Sequence, residues 1–149
     1  MDLNPESRQK LAPNIHFIAQ DCSDEWPLGD CSLDVVFSSN FFEHLRAKGD
    51  LRRTLNQVHP CRKPGGRLIC MGPNIKYLRG RYWDFWDHYI PLTEESLREV
   101  LELAGFEVER CIAKFMPYQM VRQKRAPLPL VRLYLKLPWV WHFSAVNSW

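Results

Sequence analysis

Two adjacent residues, Glu43 and His44, and a third, His88, carry the side chains in this sequence best suited to moving a proton. An imidazole titrates near neutral pH, so either histidine can take a proton from a hydroxyl. Glu43-His44 reads equally well as the first turn of a helix, with the carboxylate at the positive end of the dipole and the imidazole holding a loop. His88 sits inside an aromatic run, residues 77–92 (YLRGRYWDFWDHYIPL), where Tyr82, Trp83, Phe85, Trp86 and Tyr89 are interleaved with Asp84 and Asp87. Aromatic faces of this density pack against sugar rings or lipid tails, and the polar residues between them can orient a hydroxyl. The same run also reads as a hydrophobic lid over the core. The five cysteines (22, 31, 61, 70 and 111) are odd in number and contain no CxxC pair. That spacing suits reduced thiols and predicts no metal site.

These side chains need elements to hold them. With 149 residues, 46% of them hydrophobic, the chain has material for one core. A net charge of +3 is too small to indicate a nucleic-acid partner. No stretch approaches 18 uninterrupted apolar residues, and the N-terminus MDLNPESRQK lacks the apolar region of a signal peptide. Residues 15–20 form a short apolar run ending at Asp21, which predicts a buried strand. Residues 33–38 (LDVVFS) predict a strand covered on both faces. Leu51, Leu55 and Val58 recur at helical spacing, and Lys63-Pro64-Gly65-Gly66 reads as the stop of that helix, with Pro60 unwelcome so late in it. Residues 67–71 (RLICM) predict a third strand. Thr93 is an N-cap followed by Glu94 and Glu95. Leu97, Val100, Leu101 and Ala104 make the buried stripe of that helix, and Gly105 stands where a terminal glycine belongs. Residues 106–112 alternate as a half-exposed edge strand should. The order strand, helix, strand, helix, strand predicts an α/β fold with a parallel sheet.

The acidic strand end at Asp21, the strand LDVVFS running into SNFFEHL, the KPGG turn and the GF-x-V segment after the last helix occur in one order. Together, over residues 1–115, they resemble the class I S-adenosylmethionine-dependent methyltransferase family (type 11-like), in the branch acting on small molecules, lipids and saccharides. The resemblance implies a Rossmann-like sheet with flanking helices and S-adenosylmethionine as cofactor. Asp2 matches the acid that accepts hydrogen bonds from the ribose hydroxyls, though a residue so close to a chain start also reads as frayed. Asp21 matches the acid facing the adenine amine, with the Cys22 amide facing the ring, a reading preferred to the alternative in which Asp21 caps a turn before Ser23 and Asp24. Ser38, Ser39 and Asn40 match the segment lining the methionine end, outside the carboxyl ends of the strands. His44 and His88 then become candidate bases for an oxygen acceptor. Tyr82, Trp83, Trp86, Asp87 and His88 form the substrate wall for a small-molecule, saccharide or lipid-linked acceptor. The stretch WDHYIPLT is similar to methyltransferases encoded beside polysaccharide-assembly enzymes.

The family's first strand and GxGxG turn find no match here, since the seven glycines nowhere have that spacing. The expectation is a domain whose sequence lacks those two features at its N-terminal end, leaving strands 15–20 and 33–38 with unpaired edges or paired directly. Residues 116–149 read as a basic, aromatic, proline-containing tail. Within it, residues 122–141 suit a membrane headgroup surface, although their prolines oppose a long amphipathic helix. The reading is therefore a cytoplasmic enzyme, peripheral to the inner membrane face if the tail binds there. It competes with a non-catalytic module that pairs, with itself or another chain, through exposed sheet edges.

Overall fold

The computed structural model describes residues 1–78, 80–114 and 129. The tail and its membrane-facing stretch lie outside the described residues, Pro129 aside. Strand β1 (Leu33–Ser39) and strand β2 (Arg62–Met71) form a two-stranded parallel sheet, joined by helix α1 (Lys48–Cys61). A single-turn helix α2 (Ile75–Leu78) and helix α3 (Glu94–Leu103) follow, and short 3-10 turns occupy Pro5–Lys10, Phe42–His44 and Arg81–Asp84. Strand, crossover helix and parallel strand make the α/β unit that the hydrophobic periodicity predicted. Among the described residues, no helix is long and apolar enough to cross a membrane.

Helix α1 begins where the Asp50 carboxylate accepts the Ala47 amide at 3.0 Å, and it buries Leu51, Leu55 and Val58 on one face as their spacing requires. These join Phe42, Leu45 and Ile90 in the core, and the expected stripe of α3 (Leu97, Val100, Leu101 and Ala104) packs against the same cluster. Each such aliphatic side chain removed from water contributes about 1.5–3 kcal/mol. Helix α3 starts at Thr93, whose hydroxyl accepts the Ser96 amide at 3.1 Å. It ends at Gly105, whose φ of +86° only glycine adopts without strain.

Four expectations are corrected. KPGG lies inside β2 rather than after a helix end: α1 stops at Cys61, one residue past Pro60, and Arg62 is already extended (φ −80°, ψ 131°). Register runs from Leu33↔Arg62 directly to Val35↔Arg67, so KPGG is taken up in an irregularity before the regular ladder of Arg67–Met71. Gly65 has φ +74°, and a Cβ on Gly66 would stand 3.0 Å from the Asp34 and Lys63 carbonyl oxygens. Residues 15–20 form no strand, only a single parallel bridge between Asp2 and Ala19, because the chain turns into a 3-10 helix at Pro5 and offers no longer partner. Residues 106–112 form no strand either. Their side chains reach β2, with Arg67 to Glu109 at 3.3 Å and the Arg62 guanidinium 5.6 Å above the Phe106 ring, but no backbone ladder forms. Finally, β1 is covered on one face. Leu68 and Cys70 of β2 pack against the core, while Val35 and Phe37 (63% exposed) share an open face with Ile69 and Met71.

Candidate active site

The carboxyl end of β1 leads directly into the site. Ser39 pairs with Met71, and the Asn40 amide donates to the Met71 carbonyl at 2.8 Å, with Asn40 in the left-handed region at φ 46°. Asparagine tolerates that conformation, and it turns the chain sharply off the sheet. Phe42–His44 then forms one 3-10 turn, closed by the His44 amide on the Phe41 carbonyl at 3.0 Å. Phe42 and Leu45 are buried in the core, which anchors Glu43 and His44 between them. The Ser38 hydroxyl is buried and has no hydrogen-bond partner among the described residues, an orphan group at the edge where the sequence places a ligand.

The aromatic loop folds back on this turn. The Glu43 carbonyl accepts both the Tyr89 amide (2.7 Å) and the Ile90 amide (3.2 Å), and the Tyr82 hydroxyl donates to the Ile90 carbonyl. Tyr82 is fully buried, and burial, aided by the charge of Glu43, pushes its hydroxyl up to about 12. It stands behind the site as its floor. Trp83, Tyr89 and above all Trp86, 95% exposed, face outward.

His44 Nδ1 lies 3.0 Å from the Asp87 carbonyl oxygen and 3.1 Å from Asp87 Oδ2. Both partners are acceptors, so Nδ1 carries a proton in this arrangement. Nε2 points toward Glu43, 4.0 Å from Oε1. The Glu43 side chain is almost entirely buried (the residue is 3% exposed), and burial pushes its carboxyl above the usual range, against the pull of nearby backbone amides and His44. His88 meets the His44 ring edge-on at 5.0 Å between centroids and stacks on Phe85 at 4.9 Å. Burial first, and then His44, lower its pKa, while a hydrogen bond to the Tyr82 backbone opposes them. His88 Nδ1 is buried and has no partner among the described residues. Glu43, His44 and His88 thus place one donor atom each within 4.8 Å of one another.

The other acids stand apart from this corner. The Asp2–Ala19 bridge, with the Asp2 amide on the Ile18 carbonyl at 3.1 Å and the Gln20 amide on the Asp2 carbonyl at 3.3 Å, sets Asp2 and Asp21 at the same end of two parallel segments. The Asp2 carboxylate accepts the Asn4 amide (2.9 Å) and the Ser7 hydroxyl (2.7 Å), which lower its pKa. Asp21 Oδ1 accepts the Ser23 amide and the Ser23 hydroxyl, both at 2.8 Å, with the same effect. Asp21 Oδ2 takes part in neither bond. The Cys22 carbonyl accepts the Trp26 indole at 2.9 Å, and burial pushes the Cys22 thiol up to about 11. The sequence names every residue of the Glu43–His44–His88 corner but not the bond from Asp87 to His44, because 43 residues separate the partners and no local spacing encodes it.

The methyltransferase domain family matches residues 1–110. The chain is 36% identical over 93 residues to an S-adenosylmethionine-dependent methyltransferase of Mycolicibacterium smegmatis, covering 61% of this chain and 35% of that protein. It is 28% identical over 72 residues to a demethylmenaquinone methyltransferase of Symbiobacterium thermophilum, covering 42% and 29%. The chain thus spans about a third of the length of the curated relatives it matches. Among solved structures, a SAM-dependent methyltransferase from Archaeoglobus fulgidus superposes with a TM-score of 0.63 at 20% identity, over 90% of this chain and 64% of that one. A chain from a complex between a Haloferax volcanii methyltransferase activator and a methyltransferase gives a TM-score of 0.55 at 23% identity, over 66% and 44%. At those identities the two structures establish the shared fold.

Proposed function

The chain belongs to the methyltransferase domain family, and from that premise we propose that it transfers the methyl group of S-adenosylmethionine to a hydroxyl of a small-molecule, saccharide or lipid-linked acceptor. The observation that carries this reading is the His44–Asp87 pair at the carboxyl edge of β1. When bound, the cofactor supplies a methyl group already activated by its sulfonium. The chain's own task is to bind, to align and to accept a proton. His44 Nε2 is the proton acceptor, with Asp87 holding the tautomer that leaves its lone pair free on the side of Glu43. Asp2 and Asp21 take the ribose and adenine side, where each Asp2 oxygen keeps a second lone pair beyond its bond to the chain and Asp21 Oδ2 lies outside the two Ser23 bonds. The orphan hydroxyl of Ser38, with Ser39 and Asn40, lines the reacting end. Trp83 and Trp86, exposed beside Asp87, offer the faces on which an acceptor ring or lipid tail would rest.

Calorimetric titration with S-adenosylmethionine, followed by mass-spectrometric detection of S-adenosylhomocysteine with a panel of hydroxylated acceptors, tests this. The expected result is saturable binding, and turnover that His44→Ala abolishes while binding persists. Turnover unchanged in His44→Ala would overturn the hydroxyl-acceptor reading.

A further inference from the structure

We propose that Glu43, His44 and His88 together bind one divalent transition-metal cation, of the zinc, iron(II) or manganese class. The donor set is two imidazole nitrogens and one carboxylate oxygen, a combination that favours these ions over magnesium, which prefers oxygen alone. One donor atom from each residue already lies within 4.8 Å of the other two. Donors held about 2.1 Å from a tetrahedral cation stand about 3.4 Å apart, so the corner closes onto an ion by shifts of about an ångström. His44, part-exposed at the surface, has room for such a shift.

Orientation favours the ion as well as proximity. The Nδ1 proton of His44 is held by the carbonyl and the carboxylate of Asp87, and its Nε2 lone pair faces Glu43 at 4.0 Å. A carboxylate or carbonyl behind the far nitrogen is the usual support of a metal-binding imidazole. His88 adds an Nδ1 that is buried without a partner among the described residues, its ring 5.0 Å from that of His44. A buried polar nitrogen left unpaired costs free energy that a bound cation would recover. Glu43 brings a carboxylate that is almost fully buried between two imidazoles, with the negative charge of Asp87 one residue further out. A dication is the counter-charge this group of side chains lacks.

Three protein donors leave a coordination position open. What fills it rests on the methyl-transfer reading above; the binding of the cation does not. An acceptor hydroxyl coordinated there would lose its proton to water, and His44 would serve as ligand in place of proton acceptor.

The test uses the full chain, stripped with a chelator, returned to metal-free buffer with a thiol-free reductant, and titrated with cobalt(II) alone while the visible spectrum is recorded. One cobalt per chain is expected, saturating in the micromolar range, with d–d bands and no thiolate-to-cobalt charge transfer, and zinc displaces it. His44→Gln and His88→Gln are each expected to weaken binding at least tenfold with the circular dichroism spectrum unchanged. Glu43→Gln should do the same, and if that variant fails to fold the two histidine variants decide. No saturable bands up to millimolar cobalt, a charge-transfer band from the cysteines, or an affinity equal to the parent's in both histidine variants would overturn the proposal. Because no donor or acceptor is present, such a failure removes the cation alone and leaves methyl transfer to its own assay.

Discussion

Two acidic corners of this molecule are built in opposite ways. At the N-terminal corner Asp2 and Asp21 are satisfied by neighbours within five residues, Asn4 and Ser7 for the first and Ser23 for the second. At the corner beyond β1, Glu43 and His44 are held by residues 87–90, more than forty positions away. The first corner keeps its carboxylates near solvent and ionised, with backbone amides holding both pKa values below the usual range. The second buries its carboxylate and shifts the pKa the other way. Local hydrogen bonds make acids that are anionic wherever the chain segment goes. Only a tertiary fold makes a dehydrated cluster whose proton affinities differ from those of free side chains.

The contrast can be broken most severely at the second corner. His44→Ala should lower kcat by about 100-fold or more with a small change in the dissociation constant for S-adenosylmethionine, since a positioned base contributes on that scale. Steady-state kinetics paired with calorimetry will read it, and loss of cofactor binding instead of kcat would place His44 elsewhere in the mechanism. Asp87→Ala removes one of two acceptors behind His44 and leaves the backbone carbonyl, so a smaller effect of about tenfold in kcat is expected. An Asp87→Asn variant that behaves like Asp87→Ala would show that charge, rather than a hydrogen bond, is the contribution. Tyr82→Phe leaves the Ile90 carbonyl buried and unpaired, which should cost about 1–2 kcal/mol and lower Tm by a few degrees. A calorimetric Tm equal to that of the parent would mean that the loop is not stitched through this hydroxyl.

The smallest effect belongs to the first corner. Asp21 has a folded pKa below its unfolded value of 3.8. Its contribution is therefore fully present above that value and is lost as pH falls through the folded pKa. Asp21→Asn should flatten the decline in stability between pH 5 and pH 3, read as urea midpoints, and should leave the midpoint difference constant above pH 5. Equal slopes in parent and variant would show that the Ser23 bonds are absent in solution.

How far each corner was legible follows from the same contrast. The turn at Asp21–Ser23 and the Thr93 cap were readable because their partners lie two or three residues apart. The strand at 33–38 and the stripes of α1 and α3 were readable from periodicity, which a single element carries within itself. Residues 15–20 and 106–112 misled because β-pattern records a tendency to extend, while a strand also requires a neighbour to complete its hydrogen bonds. Residues 15–20 find only Asp2, and residues 106–112 touch β2 through side chains alone. KPGG misled differently. Gly66 serves the close approach of β2 to Asp34 and Gly65 the positive φ beside it, and no helix-stop rule contains that contact.

By itself the sequence determined the strand–helix–strand unit of β1, α1 and β2, the helix boundaries near Thr93 and Gly105 and the family, and it named the candidate site side chains. Each of these depends on residue type and short-range spacing, which are properties of the chain before it folds. The tertiary structure alone decided that Asp87 stands against His44 Nδ1, that Glu43 is buried, that His88 Nδ1 has no partner among the described residues, and that one face of the sheet stands open. Those outcomes depend on which distant surfaces come together to bury Leu51, Leu55, Tyr82 and Ile90. The free energy that selects among such pairings comes from packing summed over the whole core rather than from any local pattern.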